Sequence, residues 1–180
     1  EALGVDEAYR FHSWQARRLG ETGADFLLAA TLPALSEATG LAAALAETGR
    51  PYVVSFVVRP EGTLLDGTPL KDVLRAIEDA VTPGPLAFMA NCTHASFLKS
   101  ALAHPAHSSD HVRRRIIGLF ANTAALTPEE LDDSQDLVEE APETFGPTVA
   151  GLHADFGLKI LGGCCGTDDR HIRSLAQKLV

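Results

Sequence analysis

The chain has 180 residues, with 15 lysines and arginines against 24 aspartates and glutamates, which gives a formal net charge of -9 at pH 7. Hydrophobic residues make up 46% of it and charged residues 22%, a composition typical of one globular domain with a hydrophobic core. The acidic balance argues against a nucleic-acid partner, because phosphate binding requires a basic surface.

Membrane insertion and a disulfide scaffold are not expected either. No apolar stretch approaches the roughly 20 residues that span a bilayer, and the N-terminal sequence EALGVDEAYR does not resemble a signal peptide. Three cysteines cannot all pair within one chain, and the adjacent Cys164 and Cys165 could pair only through a strained ring. We therefore expect reduced thiols, a cytoplasmic location and no membrane partner.

Five short apolar runs predict β-strands. Each run is nearly continuous in hydrophobic character, which is typical of strands covered on both faces in a parallel sheet wrapped by helices. The runs are 24–31, 51–58, 86–92, 115–122 and 158–163.

Amphipathic helices are predicted before, between and after these strands. The opening helix, around residues 6–20, is expected to bury Phe11 and Leu19. The next follows Thr31, has Pro33 in its first turn and ends at Gly49. The stripes expected to be buried in the later helices are Leu35, Ala38, Leu41 and Leu45; Leu70, Val73, Leu74, Ile77 and Val81; Phe145, Val149, Leu152 and Phe156; and Ile172, Leu175, Ala176 and Leu179.

The alternation of helices and strands predicts an α/β fold with a parallel sheet, either doubly wound or closed as a barrel. Five strands are too few for the usual eight-stranded barrel, so the chain is expected to be part of a larger unit. A doubly wound reductase would need a glycine-rich first turn or a Cys-x-x-Cys pair, and the sequence contains neither.

All three cysteines follow predicted strand ends. Cys92 ends the third strand and the Cys164-Cys165 pair follows the fifth, at the edge where functional loops of parallel α/β folds gather. Three thiolates at one point suit Zn²⁺, and three protein ligands leave a fourth position open for chemistry. Gly162, Gly163 and Gly166 are expected to supply positive φ angles for this turn. The alternative is three free cysteines that fill gaps in the core.

Two motifs carry a resemblance to a known family. Asn91-Cys92 after a strand and the run GGCCGTDDRHI at 162–172 resemble the homocysteine S-methyltransferase family, which includes betaine–homocysteine and S-methylmethionine–homocysteine methyltransferases and the first module of methionine synthase. Segments 23–38 and 64–70 resemble the family's order of segments. The resemblance implies a (β/α)₈ TIM barrel of which residues 1–180 carry strands four to eight, as the C-terminal part of one domain. Because strands one to three are absent, the resemblance implies either that the sequence is a fragment or that a second chain supplies these strands. The other partner it leaves open is a further copy of the same chain in a homo-oligomer.

The resemblance also implies an activity, namely methyl transfer from a small sulfonium, quaternary ammonium or folate donor to homocysteine, giving methionine. Zinc would lower the pKa of the acceptor thiol so that a thiolate exists at neutral pH. Carried over to this sequence, the zinc ligands are Cys92, Cys164 and Cys165, and the substrate-binding residues are Thr31, Asn91 and Asn122.

One position departs from the family pattern. Most members carry Glu-Thr at the end of the fourth barrel strand, and this chain has Ala30-Thr31. Placing the acceptor's ammonium group in a pocket without a counter-charge costs at least a few kcal/mol. Three readings stay open: another acid holds homocysteine, a different thiol is the acceptor, or the protein binds zinc without transferase activity.

Four further features have structural interpretations. His94 could be a fourth ligand of the metal or a residue that contacts one of the ligands. The preferred interpretation is a residue in the first turn of a helix. His171 is interpreted as a packing or hydrogen-bonding residue of the last helix, and Asp168 and Asp169 as complements to its dipole. The acidic segment 127–140 is interpreted as a solvated loop and helix face.

Overall fold

A computed structural model of the protein describes residues 2–105, 109–132 and 135–179. Its strands form one parallel sheet in the order β1-β2-β3-β4-β5, so each strand pairs with the next one along the chain. The strands are β1 (Leu27–Leu32), β2 (Tyr52–Phe56), β3 (Ala87–His94), β4 (Ile116–Asn122) and β5 (Ile160–Gly163).

Helices precede, connect and follow these strands. They are α1 (Val5–Gly20), α2 (Leu35–Ala46), α3 (Leu70–Ala80), α4 (Ala95–Ala103), α5 (Asp110–Arg115), α6 (Pro128–Leu131), α7 (Pro142–Phe156) and α8 (Asp169–Ala176). Among the described residues, none of these helices combines the length and apolar character that crossing a membrane requires.

The predicted α/β architecture is confirmed at the level of five parallel strands in one sheet. Each of the five apolar runs overlaps a strand, and every residue of β2 is buried, as expected for a strand covered on both faces. Closure of the sheet into a barrel remains a prediction, because β1 and β5 are the outer strands of the described sheet.

The predicted apolar stripes of α3 and α7 are confirmed. In α3, Leu70, Val73, Leu74 and Ile77 are buried, and in α7, Phe145, Val149 and Leu152 are buried with Phe156 packed beside them. Helix α2 begins later than expected. Ala34 is its N-cap, so Pro33 lies in the preceding loop and not in the first turn.

The predicted buried face of α1 is wrong. Phe11 is 72% exposed and Leu19 is 44% exposed, whereas Ala8, Ser13 and Ala16 are buried. The reason is the close approach of α2. A Cβ atom on Gly40 would lie only 2.3 Å from the backbone oxygen of Val5, so small residues form this contact.

The predicted buried face of α8 is also wrong in part. Leu175 is buried as expected, but Ile172, Ala176 and Leu179 are exposed. His171 takes the second inward position, where its ring lies edge-on to Phe145 with centroids 5.4 Å apart. Its interpretation as a packing and hydrogen-bonding residue is therefore confirmed.

One side of β1 has no partner strand among the described residues. Leu27 and Ala29 point into the core between sheet and helices, whereas Phe26 and Leu28 are 53% and 39% exposed. Successive side chains of a strand face opposite sides of the sheet. The face of β1 away from the helices is thus apolar and open.

Candidate metal centre

The structure brings the three cysteine side chains together. The Sγ atom of Cys92 lies 3.0 Å from that of Cys164 and 4.0 Å from that of Cys165, and the Cys164 and Cys165 Sγ atoms are 3.9 Å apart. All three Sγ atoms lie within 4.8 Å of one another, which is close enough for them to bind one metal ion, and no other such group of three occurs in the part of the chain that the structure describes. Sulfur atoms from two strand ends, more than 70 residues apart in sequence, therefore converge.

This donor set fits a metal ion of the zinc type. Zinc bonded to sulfur at about 2.3 Å in a tetrahedron separates its ligands by about 3.8 Å. Two of the three Sγ–Sγ distances are within 0.2 Å of that edge, at 3.9 and 4.0 Å. The third distance, 3.0 Å between the Cys92 and Cys164 Sγ atoms, is too long for a disulfide. Zinc binding would require these two side chains to move slightly apart.

Cys92 points at the cluster because β3 is irregular there. The β3–β4 register shifts between Asn91 and Thr93, and Cys92 has a φ of 50°, in the left-handed region that residues with a Cβ rarely adopt. A bulge of this kind re-aims a side chain out of the regular alternation. Backbone strain at this position is typical of a functional site.

The glycines around Cys164 and Cys165 have two different roles, and the expectation of three positive φ angles is wrong. Gly166 alone of the three has a positive φ, 78°. Gly162 and Gly163 instead allow close approach, since a Cβ atom would lie 2.9 Å from the Phe120 ring and 2.3 Å from Thr167 Oγ1, respectively. Thr167 uses this space to donate its hydroxyl to the Cys164 carbonyl at 2.7 Å.

Two of the predicted substrate residues, Thr31 and Asn91, bond to each other. The Asn91 Nδ2 donates to Thr31 Oγ1 at 2.7 Å, and the Thr31 backbone N–H donates back to Asn91 Oδ1 at 2.8 Å. The buried Ser55 hydroxyl donates to the same Oδ1 at 2.7 Å. Thr31 also has a positive φ, 65°, at the register shift of β1. This network fixes the backbone beside Cys92, and the sequence patterns did not identify Ser55.

The third predicted substrate residue, Asn122, contacts the opposite side of the cluster. Its Oδ1 accepts the backbone N–H of Cys165 at 3.3 Å. The next residue, Thr123, donates its backbone N–H to the Cys165 carbonyl at 3.1 Å, and the Cys164 N–H bonds to the Ala121 carbonyl at 2.7 Å. The end of β4 thus holds both adjacent cysteines through their backbone.

The surroundings of Cys92 and Cys165 favour the protonated form of these two thiols. Burial, followed by the hydrogen bond and charge of Cys164, raises the pKa of Cys92 to about 12. Burial and Cys164 also raise the pKa of Cys165. Because a metal binds the thiolate form, its uptake must displace these protons, and metal affinity falls as the pH is lowered.

His94 lies outside the sulfur cluster. It ends β3 and is the N-cap of α4, where its Nδ1 accepts the Ser96 backbone N–H at 3.2 Å. The Nε2 atom lies 3.3 Å from a carboxylate oxygen of Glu140. His171 Nε2 donates to the Glu140 carbonyl at 3.0 Å, so the two histidines hold this residue from both sides.

Asp168 caps α8 through a reciprocal pair of hydrogen bonds with His171. Burial raises the pKa of Asp168, but the hydrogen bonds from His171 and Arg170 outweigh it and lower that pKa to about 2. For His171, burial lowers the pKa, and the bonds to Glu140 and Asp168 raise it overall. Asp168 is the N-cap of α8 and lies just before the first turn, and its carboxylate accepts the backbone N–H groups of Arg170 and His171, which supports its interpretation as a complement to the helix dipole.

The acidic segment 127–140 contains the short helix α6 and an exposed loop in its described part, since residues 133–134 are outside the described ranges. Arg59 forms an ion pair with Glu129 that holds the pKa of this carboxylate at about 2. Thr127 and Glu130 complete a capping box at the start of α6. The solvated-loop interpretation is confirmed for the residues described, with the addition that the loop is anchored.

Comparison with known proteins identifies relatives of the whole chain. A family model described as Homocysteine S-methyltransferase matches residues 1–179. The homocysteine S-methyltransferase of Escherichia coli strain K12 is 31% identical over 179 residues, which cover 95% of this chain and 53% of that protein. The homocysteine S-methyltransferase YbgG of Bacillus subtilis strain 168 is 26% identical, with 97% and 53% covered.

A solved structure gives the same result. The apo crystal structure of the homocysteine methyltransferase MmuM from Escherichia coli matches with a TM-score of 0.69 and 26% sequence identity, over 98% of this chain and 58% of that one. The methionine synthase of Mycobacterium leprae is 30% identical over 165 residues, or 12% of its length. The chain spans about half the length of the two shorter relatives, at 53% of each.

Proposed function

Because the chain belongs to the homocysteine S-methyltransferase family, we propose that it forms part of a zinc-dependent enzyme that methylates a thiol, with homocysteine as acceptor and methionine as product. The observation that carries the proposal is the meeting of three thiols within 4.8 Å. Core-filling cysteines would have no reason to converge at the carboxyl edge of a parallel sheet, where the chemistry of such folds takes place.

In this proposal each site residue has a distinct task. Cys92, Cys164 and Cys165 hold Zn²⁺, which when bound lowers the pKa of the acceptor thiol so that a thiolate is present at neutral pH. Asn91 and Thr31 bond to each other and fix the backbone beside Cys92, and in this proposal they lie next to the amino-acid end of the acceptor. Asn122 fixes the Cys165 backbone and faces the same edge. These residues bind and orient the reactants, which is how proximity lowers the barrier to transfer.

A second candidate function follows from Ala30. The family's usual glutamate at this position would pair with the acceptor's ammonium group, and Ala30 has no charge to offer. The alternative is therefore a zinc-binding member that uses a different thiol acceptor or lacks transferase activity. Methylation of homocysteine by the full-length, zinc-loaded protein distinguishes the two candidates.

We further propose that the chain is the C-terminal part of a single (β/α)₈ TIM-barrel domain and carries its strands four to eight. The edge of β1 that lacks a partner strand among the described residues supports a neighbouring strand there, and the exposed Phe26 and Leu28 support a covered interior over its open face. The coverage of 53% of the shorter relatives agrees with this division. The missing strands belong to the same polypeptide or to a second chain, and the free thiols suit a reducing, cytoplasmic location.

The test is the zinc content and the homocysteine methylation rate of the full-length protein beside a Cys164→Ser variant. We expect about one zinc per wild-type chain and less than about a tenth of that in the variant, with methylation lost in parallel. Asp169→Asn, an exposed change at the start of α8, is the control and should keep both. Equal zinc in the wild type and Cys164→Ser would contradict the proposal.

A further inference from the structure

Cys92 is the extra residue of a bulge in β3. Its neighbours Asn91 and Thr93 pair with two consecutive residues of β4, Phe120 and Ala121, so Cys92 lies between two successive pairs. Its φ of 50° is in the left-handed region, which costs free energy for any residue that has a Cβ atom. The conformation that turns the Cys92 sulfur towards the other two cysteines therefore needs contacts that hold it.

On one side of Cys92, a buried serine holds the asparagine side chain. A backbone N–H can only donate, so the Asn91 atom that lies 2.8 Å from the Thr31 backbone nitrogen is the oxygen, Oδ1. The Ser55 hydroxyl, in the buried strand β2, donates to the same oxygen at 2.7 Å. Ser55 is 0% exposed, so this bond forms away from solvent. Ser55 thus fixes the side chain of the residue directly before Cys92.

On the other side of Cys92, the Thr93 hydroxyl binds the backbone that follows β2. Its Oγ1 accepts the Val58 backbone N–H at 3.0 Å, and its own proton faces the carbonyl oxygens of Val58 and Asn91, each at 3.3 Å. Thr93 and Val58 are both buried. The hydroxyl therefore ties the residue directly after Cys92 to the end of β2.

Both contacts lead to the same segment, residues 55–58. Asn91 and Thr93 flank Cys92, and each is tied to this segment by a hydrogen bond that is buried. Two independent attachments, one before and one after the bulge, leave the strained residue little freedom to relax. The sulfur cluster consists of the three cysteines, so these attachments bear on a metal ion through Cys92.

From this arrangement we propose that Ser55 and Thr93 are positioning residues of the metal centre. They hold Cys92 in its left-handed conformation before a metal ion arrives, so that its sulfur is in place to share the ion with Cys164 and Cys165. A site arranged in advance binds more tightly, because fewer groups have to be ordered on binding. The proposal rests on the zinc-dependent function proposed above and names two residues that act on the metal through one of its ligands.

The test at Thr93 separates the hydroxyl from the bulk of the side chain. In the full-length protein, Thr93→Val keeps the shape and removes the hydroxyl, whereas Thr93→Ser keeps the hydroxyl and removes the methyl group. Competition with a chelating dye measures the zinc affinity. Thr93→Val should weaken zinc binding about tenfold or more, the usual effect of losing a contact behind a metal ligand, and Thr93→Ser should stay within about threefold of the wild type. Equal affinities of the two variants, or weaker binding by Thr93→Ser, would overturn the role of Thr93.

The test at Ser55 uses a matched serine elsewhere in the fold. Ser55→Ala removes the bond to Asn91, and the control Ser13→Ala removes a buried hydroxyl that donates to the Tyr9 carbonyl within α1. Ser55→Ala should weaken zinc binding about tenfold, and Ser13→Ala should leave it unchanged. Circular dichroism verifies that each variant is folded. Equal zinc affinities of the two serine variants would overturn the role of Ser55.

A measurement without metal separates failure of this inference from failure of the proposed function. If the wild type binds zinc and the variants bind it equally well, the proposed function stands and the positioning role falls. If the wild type binds no zinc, the zinc-dependent function fails. The positioning role is then judged by the rate at which diamide joins Cys92 to Cys164 in the metal-free protein, since their sulfurs lie 3.0 Å apart.

The two hydroxyl deletions should slow formation of this disulfide. Ser55→Ala and Thr93→Val are expected to form it about tenfold more slowly than the controls Ser13→Ala and Thr93→Ser, because small displacements of reacting atoms lower such rates strongly. Peptide mass spectrometry identifies the linked cysteines. Equal rates in the deletions and their controls would overturn the positioning role.

Discussion

At the scale of single residues, the candidate site is built on two strained backbone positions that share one asparagine. Thr31 and Cys92 have φ angles of 65° and 50°, each at a register shift near the carboxyl end of its strand. The Asn91 side chain bonds to the backbone N–H and the hydroxyl of Thr31, and Asn91 directly precedes Cys92 in sequence. It therefore links the two irregular positions. Strain of this kind persists only where surrounding contacts hold it, and here the buried Asn91 and Ser55 do so.

The residue before Thr31 allows a test of the acceptor. Ala30→Glu restores the carboxylate typical of the family, and the KM for homocysteine should fall about tenfold, equivalent to about 1.4 kcal/mol of binding. Steady-state kinetics of the full-length protein measures this change. Ala30→Gln, which has nearly the same shape without the charge, should leave KM near the wild-type value. A KM for Ala30→Glu equal to that of Ala30→Gln would show that another group, or no group, binds the ammonium.

The sequence was sufficient to identify the sulfur cluster but not its support. Adjacent cysteines in a glycine turn and one cysteine at another strand end predicted convergence, because parallel strands share a carboxyl edge. The bulge that aims Cys92 could not be predicted, since a register shift depends on contacts between strands. For the same reason the roles of Gly162 and Gly163 were misassigned. Their neighbours, Phe120 and Thr167, are known only once the sheet is assembled.

At the scale of elements, strands were predicted more accurately than helix faces. Continuous apolar runs are sufficient to place a buried parallel strand. Helical periodicity locates an apolar stripe but not the side on which a neighbour lies, and in α1 the contact is made by Ala8 and Ala16 instead of Phe11. In α8 the inward position belongs to His171, because Asp168 and Glu140 satisfy both of its ring nitrogens.

The α1–α2 contact depends on a glycine, which gives a prediction about stability. A Cβ atom at Gly40 would lie 2.3 Å from the Val5 carbonyl oxygen and 2.8 Å from the Tyr9 backbone nitrogen. Gly40→Ala must therefore push two helix backbones apart, and we expect the full-length protein to lose about 2 kcal/mol or more of unfolding free energy.

Urea denaturation measures this loss, and Gly151→Ala provides the matched control. Gly151 lies inside α7, and no atom lies within 4 Å of the position that a Cβ atom would take there. Alanine at this position should therefore stabilise the helix by about 0.5–1 kcal/mol. Glycine-to-alanine substitution is thus expected to lower the unfolding free energy at position 40 and to raise it at position 151. A neutral Gly40→Ala would show that the two helices do not pack as closely as described.

At the scale of the whole molecule, the sheet is asymmetric in what it buries. Strand β2 is buried throughout, whereas β1 has one covered and one open face. The open face carries Phe26, Leu28 and Ala30. In α1, Phe11 and Trp14 are also exposed, at 72% and 70%. An unpaired strand edge with apolar neighbours favours association with further chain. In the proposed barrel, this face of β1 lies in the closed interior.

Leu28 therefore distinguishes a closed barrel from an open sheet. If further strands complete the barrel, Leu28→Lys places an unpaired charge in its interior, and the full-length protein should lose about 3 kcal/mol or more of unfolding free energy. If the sheet stays open, the lysine reaches solvent from a position that is already 39% exposed, and the loss should stay below about 1 kcal/mol. Gln177→Lys, which adds the same charge at the exposed end of α8, controls for the change in net charge. Urea denaturation of the wild type, Leu28→Lys and Gln177→Lys measures the three unfolding free energies. A loss for Leu28→Lys that exceeds the loss for Gln177→Lys by about 2 kcal/mol or more supports burial by further strands, and similar small losses would contradict the closed barrel.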